Sequence, residues 1–413
     1  MSGPLEGFTV LDLAQGDSGP LCAMLLGDAG ADVVKAEPLE GDWARQLGPP
    51  WVDGDSGFFM GMNRNKRSIA LDFAHAGAKE ILLKLAEKAD VFVESFRPGL
   101  IEEMGLGYEA LSKINPKLVF CSISPYDQTG PYAHKAASDL VLQGMAGVHR
   151  FHGIVEKDPV KIGFNYAGAV ADYYAMQAIV AALFWRYRSG VGQKVETSML
   201  RGMLATQHNY IISDSDPDAA TAQTGFNIGH LNPPNIGYKT KDIPIFMSGL
   251  GGAPRSPGRV QATGVWEKFC RSVGVPEEVI NDPRFDTPEK RTKNDALLKP
   301  YYEEAFKDKT AAEVMKLLDE VDAVCAPIHN YDTLFTDPNM LAQEMKLEMN
   351  HATAGKLNTF GLAWKLPGSP GSVRLAPPKL GQNTLEILSS LGYSAEAAKE
   401  LVAKRIVRAW TEK

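Results

Sequence analysis

TVLDLAQGDSGPLCAMLLGDAGADVVKAEP, residues 9–38, is the stretch whose reading decides the fold. Thr9 to Ala14 is a short apolar run of strand length, Gln15 to Pro20 is a polar turn rich in glycine and proline, and Leu21 to Leu26 opens a helical stretch that ends near Gly30. Asp32 to Glu37 reads as the next strand, which makes the segment a βαβ unit. Ser18 is expected to cap the helix with Pro20 in its first turn, leaving free backbone N–H groups beside Asp17 and Ser18.

The alternation recurs downstream. Ser68 to Phe73 is strand-like, Ala78 to Lys88 helical, Ala89 to Phe96 a strand running into Arg97-Pro98-Gly99, and Leu118 to Ser124 a further strand. Strands and helices at this spacing predict an α/β fold whose parallel sheet is covered on both faces. Apolar positions keep a helical period from Asn165 to Arg188, predicting the longest buried helix, and Ser189-Gly190 ends it. Residues 205–260 are rich in Gly, Pro, Asn and Asp and read as linker and loops. Trp266–Val273 and Ala311–Val321 then mark a mainly helical piece, and irregular residues 350–381 precede a helix at Thr384–Leu391.

The 413 residues are 44% hydrophobic, enough for substantial cores, so disorder is not expected. A net charge of -7 argues against nucleic acid or an anionic membrane surface as partner and leaves small molecules. Cys22, Cys121, Cys270 and Cys325 are scattered, with no CxxC pair and no His/Cys cluster at metal-ligand spacing. No metal is expected, and the thiols fit a reducing compartment. MSGPLEGFTVLDLAQ carries no charged segment followed by an apolar core, and no uninterrupted apolar run approaches membrane-spanning length; the expected location is cytoplasmic.

LDLAQGDSGPLCAMLLGDAGADVVKAEPLEGD (11–42), NRNKRSIALD (63–72), ADVFVESFRPG (89–99), MGLGYEAL (104–111), SPYDQTGPY (124–132), RSGVGQKVETSM (188–199), DPRF (282–285) and LGQNTLEIL (380–388) follow one another in order. Together they resemble the family III CoA-transferases, the group of formyl-CoA and carnitine CoA-transferases that includes α-methylacyl-CoA racemase. The resemblance implies a Rossmann-like large domain with a parallel sheet, built from both chain ends, and a smaller α+β domain between them. It divides the chain into 1–205, a linker at 206–230, a small domain at 231–330, a second linker at 331–350 and a return to the large domain at 351–413. It also implies two subunits threaded as an interlocked, ring-like dimer, with CoA on the large domain.

In that family a carboxylate attacks the acyl-CoA thioester to give a mixed anhydride. The released CoA thiolate then forms an enzyme thioester, which passes CoA to the acceptor acid. The attacking aspartate precedes the first glycine of a GxGQ turn by 22 residues, and counting back from Gly190 lands on Gly168, which has no side chain to attack with. Two other carboxylates are candidates. Asp172 lies one turn further along the same helix face and is either a displaced nucleophile or a polar contact at a helix start or subunit boundary. Asp139 falls where relatives place an acidic residue that neighbours the active site, and a structural or orienting role is expected for it. Racemase relatives carry a histidine directly before that acid; here Ser138 stands there, which sets racemase chemistry aside. His149, His152, His208 and His329 show no carboxylate or cysteine partner at a diagnostic spacing.

CoA carries several phosphate charges, and relatives commonly place basic residues at positions aligned with Pro38, Ala74, Glu103 and Ala136, none of which is basic here. The candidate CoA-binding residues are Asp17 and Ser18 at the first turn, Lys66 and Arg67 as basic groups, Leu71 and Phe96 flanking the adenine, and Ser95 at its strand end. Phe96 reads equally as a core aromatic. No cofactor is expected besides the CoA thioester as substrate. The resemblance thus points to the non-nucleophilic subunit of a heteromeric CoA-transferase, completed by a paralogous partner. Succinyl-CoA:(R)-benzylsuccinate CoA-transferases, which have one subunit lacking the aspartate, suggest succinyl-CoA as donor and an aryl- or alkylsuccinate as acceptor. A self-sufficient homodimer using Asp172 and a non-enzymatic relative of the same fold are the competing expectations.

Overall fold

Strand β1 (Thr9–Asp12) alternates strictly: Val10 enters one hydrophobic core while Leu11 enters the other. A strand buried on both faces belongs in the middle of a covered sheet. In the computed structural model, which describes residues 3–148, 160–208, 237–248, 264–321 and 323–411, β1 pairs in parallel with β2 (Asp32–Pro38) on one side and with β4 (Val91–Glu94) on the other. The sheet continues through β3 (Lys66–Leu71) beside β2, and through β5 (Val119–Ser124) and β6 (Lys194–Ser198) beyond β4. The parallel order β3-β2-β1-β4-β5-β6 is that of a doubly wound dinucleotide-binding sheet, and β12 (Val407–Arg408) closes the β3 edge antiparallel.

On the Val10 face, Val33, Val91, Val93, Val119 and Ile123 pack against α1 (Pro20–Asp28), α4 (Asp139–Met145), α5 (Tyr166–Ser189) and α6 (Met199–Ala205). On the Leu11 face, Val34, Ile69, Phe92 and Phe120 pack against α2 (Ala76–Lys88), α3 (Tyr108–Ile114), α10 (Thr384–Ser390) and α11 (Ala395–Ala403). Each such fully buried side chain stabilises the fold by about 1.5–3 kcal/mol. α5 is the described helix long and apolar enough to cross a membrane, yet half of its most apolar window is buried, and Ala167, Ala171, Ala175 and Ile179 belong to the sheet's core. Gly190, at φ 78°, ends α5 in the left-handed conformation that the Ser189-Gly190 signal predicts.

Contacts divide the chain into two units. One contains Met1–His149, Pro159–Ile211 and Ala342–Lys413; the other contains Arg150–Asp158 and Ile212–Leu341. From residue 209 onward, the expected linker at 206–230 lies outside the described residues, as do His149 and His152. In the second unit β7 (Gly237–Tyr238), β8 (Ile245–Ser248) and β9 (Val324–Pro327) form an antiparallel sheet. Its core is closed by α7 (Val265–Val273), α8 (Asp295–Phe306) and α9 (Ala311–Asp319) around Trp266, Phe269 and Tyr302. The stretch read as irregular at 350–381 begins as a hairpin, with β10 (Lys346–His351) paired to β11 (Gly355–Phe360). Its period-two pattern is carried by Leu347, Met349 and Leu357 among charged residues, a signal too thin to stand out from the polar background. Arg64 ties this hairpin to α1, by hydrogen bonds to Thr359 Oγ1 and the Phe360 carbonyl while pairing with buried Asp28 at 2.6 Å.

Candidate functional site

The order of the parallel strands reverses at β1, so the β1 and β4 carboxyl ends open a crevice where doubly wound sheets bind ligands. Its floor is ionic. Asp12, at the end of β1, accepts from Lys66 Nζ at 2.7 Å, and the same ammonium also donates to the Pro20 carbonyl and Asn63 Oδ1. Lys35 Nζ pairs with Asp42 at 2.9 Å and donates to the Ala14 carbonyl, while Glu37 is clamped by Arg45 at 2.7 and 2.8 Å. All but Arg45 are fully buried, and the Arg45 guanidinium, with Lys35 and Ser68, holds the Glu37 carboxyl down at about 2. Burial pulls the Lys66 ammonium down to about 8 against the pull of Asp12.

The loop after β1 is pinned on both sides. Ser95 Oγ, one residue past β4, accepts from Gln15 N at 3.1 Å, and Asp42 Oδ1 accepts from Gly16 N at 2.9 Å and from Ala44 N at 2.9 Å. Gly16 has φ 77° and lies under the Trp43 indole, so a Cβ there would come within 1.7 Å of the ring. Towards α5, the Asp172 carboxylate accepts from Gly19 N at 2.5 Å and Cys22 N at 3.2 Å, and Asn165 Nδ2 donates to the Asp17 carbonyl at 3.1 Å. A Cβ built on Gly168, between these two, would lie 1.9 Å from the Asp17 carbonyl oxygen. The site of the expected nucleophile is therefore filled by backbone.

This geometry corrects several expectations. The cap of α1 is Gly19 rather than Ser18, and two of the N–H groups expected to be free are satisfied by Asp172. Asp172 is fully buried, and both its oxygens are engaged by backbone N–H groups, the polar contact at a helix start that was the alternative to a displaced nucleophile. Burial pushes its carboxyl up to about 8, and the Gly19 and Cys22 N–H groups oppose that. Asp139 accepts from Ala167 N at 2.6 Å, at the first turn of α5, and from Gln143 Nε2 at 2.5 Å, which is an orienting arrangement. Lys66 is consumed under β1. Arg67 sits at the amino-terminal end of the sheet, paired with Asp32 and Glu386, and lines a small hollow of about 110 Å³ with Thr9, Asp32 and Lys88, away from the cleft residues. Leu71 is wholly inside the core and has no surface to offer an adenine ring, because the alternation of β3 turns it with Ile69 towards α10 and α11.

Asp17 and Ser18 follow the carboxyl end of β1, and Ser95 and Phe96 that of β4. Asp17 is half-buried, and its carboxyl is raised by desolvation and by the neighbouring Asp139 and Asp42 charges, against its own backbone N–H. Phe96 is half-buried, edge-on to Phe73 with ring centres 6.5 Å apart. Sequence reasoning missed Asp42, Lys35, Asn165 and Glu94, which have partners 21 to 148 positions away, where no local spacing reveals them. Buried Glu94 accepts from Phe96 N at 2.8 Å and from the Ser122 hydroxyl, and desolvation raises its carboxyl to about 7. His329, read as lacking a partner, has Nε2 3.2 Å from Asp337 Oδ2 in the second unit, because the turn at Tyr331–Leu334 folds the chain back.

Comparison with known proteins agrees with the sheet and its crevice. The family model for CoA-transferase family III matches residues 5–384. The mouse succinyl-CoA:glutarate CoA-transferase is 34% identical over 410 residues, covering 98% of this chain and 90% of that protein. The Chloroflexus aurantiacus succinyl-CoA–D-citramalate CoA-transferase is 30% identical, covering 98% of each. A crystal structure of a CaiB/BaiF family protein from Brucella suis superposes with a TM-score of 0.84 at 29% identity, covering 95% of this chain and 100% of that one. With its 3-2-1-4-5-6 sheet and a family match from residue 5 to 384, this chain belongs to CoA-transferase family III.

Proposed function

We propose that this chain is the non-nucleophilic subunit of a heteromeric CoA-transferase that moves CoA from succinyl-CoA to a carboxylic acid acceptor. The observation that carries this reading is Gly168: the position has no side chain, and the Asp17 carbonyl occupies the space one would need. In the reading, a paralogous partner supplies the aspartate that attacks the thioester carbonyl and most of the contacts to CoA. This chain completes the interlocked assembly and shapes the acceptor site. Asp17, Ser18, Ser95 and Phe96 at the β1/β4 crevice, with exposed Arg97 next to them, are its contribution to the CoA side.

The donor follows from the relatives, since the proteins from mouse and Chloroflexus are both named for succinyl-CoA. An aryl- or alkylsuccinate is the acceptor that the loss of the aspartate suggests, by analogy with heteromeric members of the family. Tyr173, Tyr174, Val180, Phe184 and Trp185 line the outer face of α5 and are exposed in the single chain, which is the apolar surface a partner subunit would cover. Four unpaired cysteines support a reducing cytoplasm, and the reading needs no cofactor beyond the CoA thioester.

The test is to produce the chain alone and together with a paralogous family III chain that carries the aspartate, then to measure mass and succinyl-CoA-dependent transfer. Transfer activity is expected only from the mixed complex. Hydroxylamine, which traps an acyl- or CoA-enzyme as a hydroxamate, should label the partner alone. Full transfer by the pure single chain, or a hydroxamate on any of its peptides, would overturn the reading.

A further inference from the structure

We infer that Asp172 acts as a latch: its carboxylate holds the Asp17–Gly19 loop against α5 and thereby closes, within this chain, the space that a side chain at position 168 requires. Three positions on one face of α5 grip this one loop. Asn165, Gly168 and Asp172 stand three and four residues apart, the spacing that stacks side chains along a helix. The Asn165 amide donates to the Asp17 carbonyl at 3.1 Å, and the Asp172 carboxylate takes the N–H groups of Gly19 and Cys22 at 2.5 and 3.2 Å. Between them the Asp17 carbonyl oxygen comes to 1.9 Å from where a residue-168 Cβ would stand.

Each contact depends on the others. A carboxyl group whose two oxygens take two amide N–H groups at a helix start is a two-point anchor of the loop to α5. The anchor lies two residues beyond Asp17, a reach too short for the Asp17 carbonyl to withdraw while Gly19 stays bound. Gly19 itself, at φ 96°, occupies a conformation other residues rarely adopt, and a Cβ there would lie 2.2 Å from the Ala14 methyl. Gln15 and Gly16 are held separately by Ser95 and Asp42, so releasing Asp172 frees the second half of the loop without undoing the first.

Asp172 is thus a positioning residue. A side chain at 168 and a carboxylate at 172 are alternative uses of the same helix face, and no single substitution at 168 reopens the cleft. The inference does not depend on a partner subunit: the proposed function can fail with the latch intact, and the reverse.

A double-mutant cycle tests it, with thermal unfolding of the full chain, or of its complex if it purifies as one. Gly168→Ala is expected to lower Tm strongly in the native background and by less than half as much in the Asp172→Gly background. Equal shifts in the two backgrounds would overturn the latch. Should Gly168→Ala prove insoluble, amide hydrogen exchange of the single Asp172→Gly variant decides. Exchange at Gly19 and Cys22 is expected to rise at least about tenfold, with the β4 strand unchanged. Unchanged protection at both amides would refute the inference.

Discussion

The two halves of α5 are put to opposite uses. In its first two turns Ala167, Gly168, Ala171 and Asp172 are buried and clamped to α1 and the loop after β1. In its last turns Phe184 is 64% exposed, Trp185 52% and Tyr187 88%. One end of the helix turns its polar groups inward, with the Asp172 carboxyl bonded to two backbone N–H groups of the same chain. The other leaves large aromatic rings in water, which a stable fold has no reason to do unless another surface meets them. The difference sets an internally bonded end against an end with exposed aromatic rings, and it is along this contrast that the proposed assembly can be tested.

Substitutions at the sealed end should produce the largest effects. Lys66→Met removes the cation that joins Asp12, Pro20 and Asn63 beneath α1 and leaves the buried Asp12 carboxylate with Lys35, 3.9 Å away, in place of a hydrogen-bonded cation. A loss of about 3–5 kcal/mol is expected in denaturant unfolding; a loss below 1 kcal/mol would mean the floor of the crevice tolerates the loss of that cation. At the open end the expectation inverts. Trp185→Ala should leave the unfolding of the isolated chain within about 0.5 kcal/mol of native. In the mixed complex it should weaken association by about 2 kcal/mol or more, roughly thirtyfold in Kd by sedimentation or light scattering. Equal affinity would separate the aromatic stripe from assembly.

Asp172→Ala leaves two amide N–H groups without an acceptor and should cost about 1–3 kcal/mol while leaving the hydroxamate on the partner unchanged. Loss of that label with stability intact would return Asp172 to the chemistry. The smallest effect concerns pH. Glu94 titrates near 7 in the fold against 4.5 when unfolded, so it favours the folded state fully below about 4.5, and that contribution is lost as pH rises towards 7. Asp172, raised to about 8, acts with the same sign. Tm should therefore fall between about pH 5 and pH 8, and Glu94→Gln should flatten part of that fall; a parallel profile would show that Glu94 is already neutral or solvated.

Much of this was legible in the sequence, for a physical reason. Period-two and period-3.6 patterns are local, and they located the β1–α1–β2 unit, the later strands and α5 to within about two residues, which is the usual scatter of element ends. The family resemblance rested on motifs distributed along the chain, and it held. The absence at 168 was also visible, since a glycine cannot be an acid in any fold. What escaped were groups whose meaning is set by distant partners. Lys66 and Arg67 looked alike as basic neighbours, yet the pleat turns Lys66 to Asp12 on one face of the sheet and Arg67 to Asp32 and Glu386 on the other. Leu71 looked available and is core. Asp42, 26 residues after Gly16, carries the loop on one oxygen and meets Lys35 with the other.

The sequence by itself determined the α/β class, the parallel sheet, the family and the glycine at 168, because each is written in residue type and short-range period. Only the tertiary structure decided what surrounds Gly168: that the Asp17 backbone fills the space beside it, that Asp172 takes the N–H groups of Gly19 and Cys22, and that Phe184, Trp185 and Tyr187 at the far end of α5 are exposed. Those are contacts between segments about 150 residues apart in the chain, and no local pattern carries the distance between two surfaces that meet only after folding.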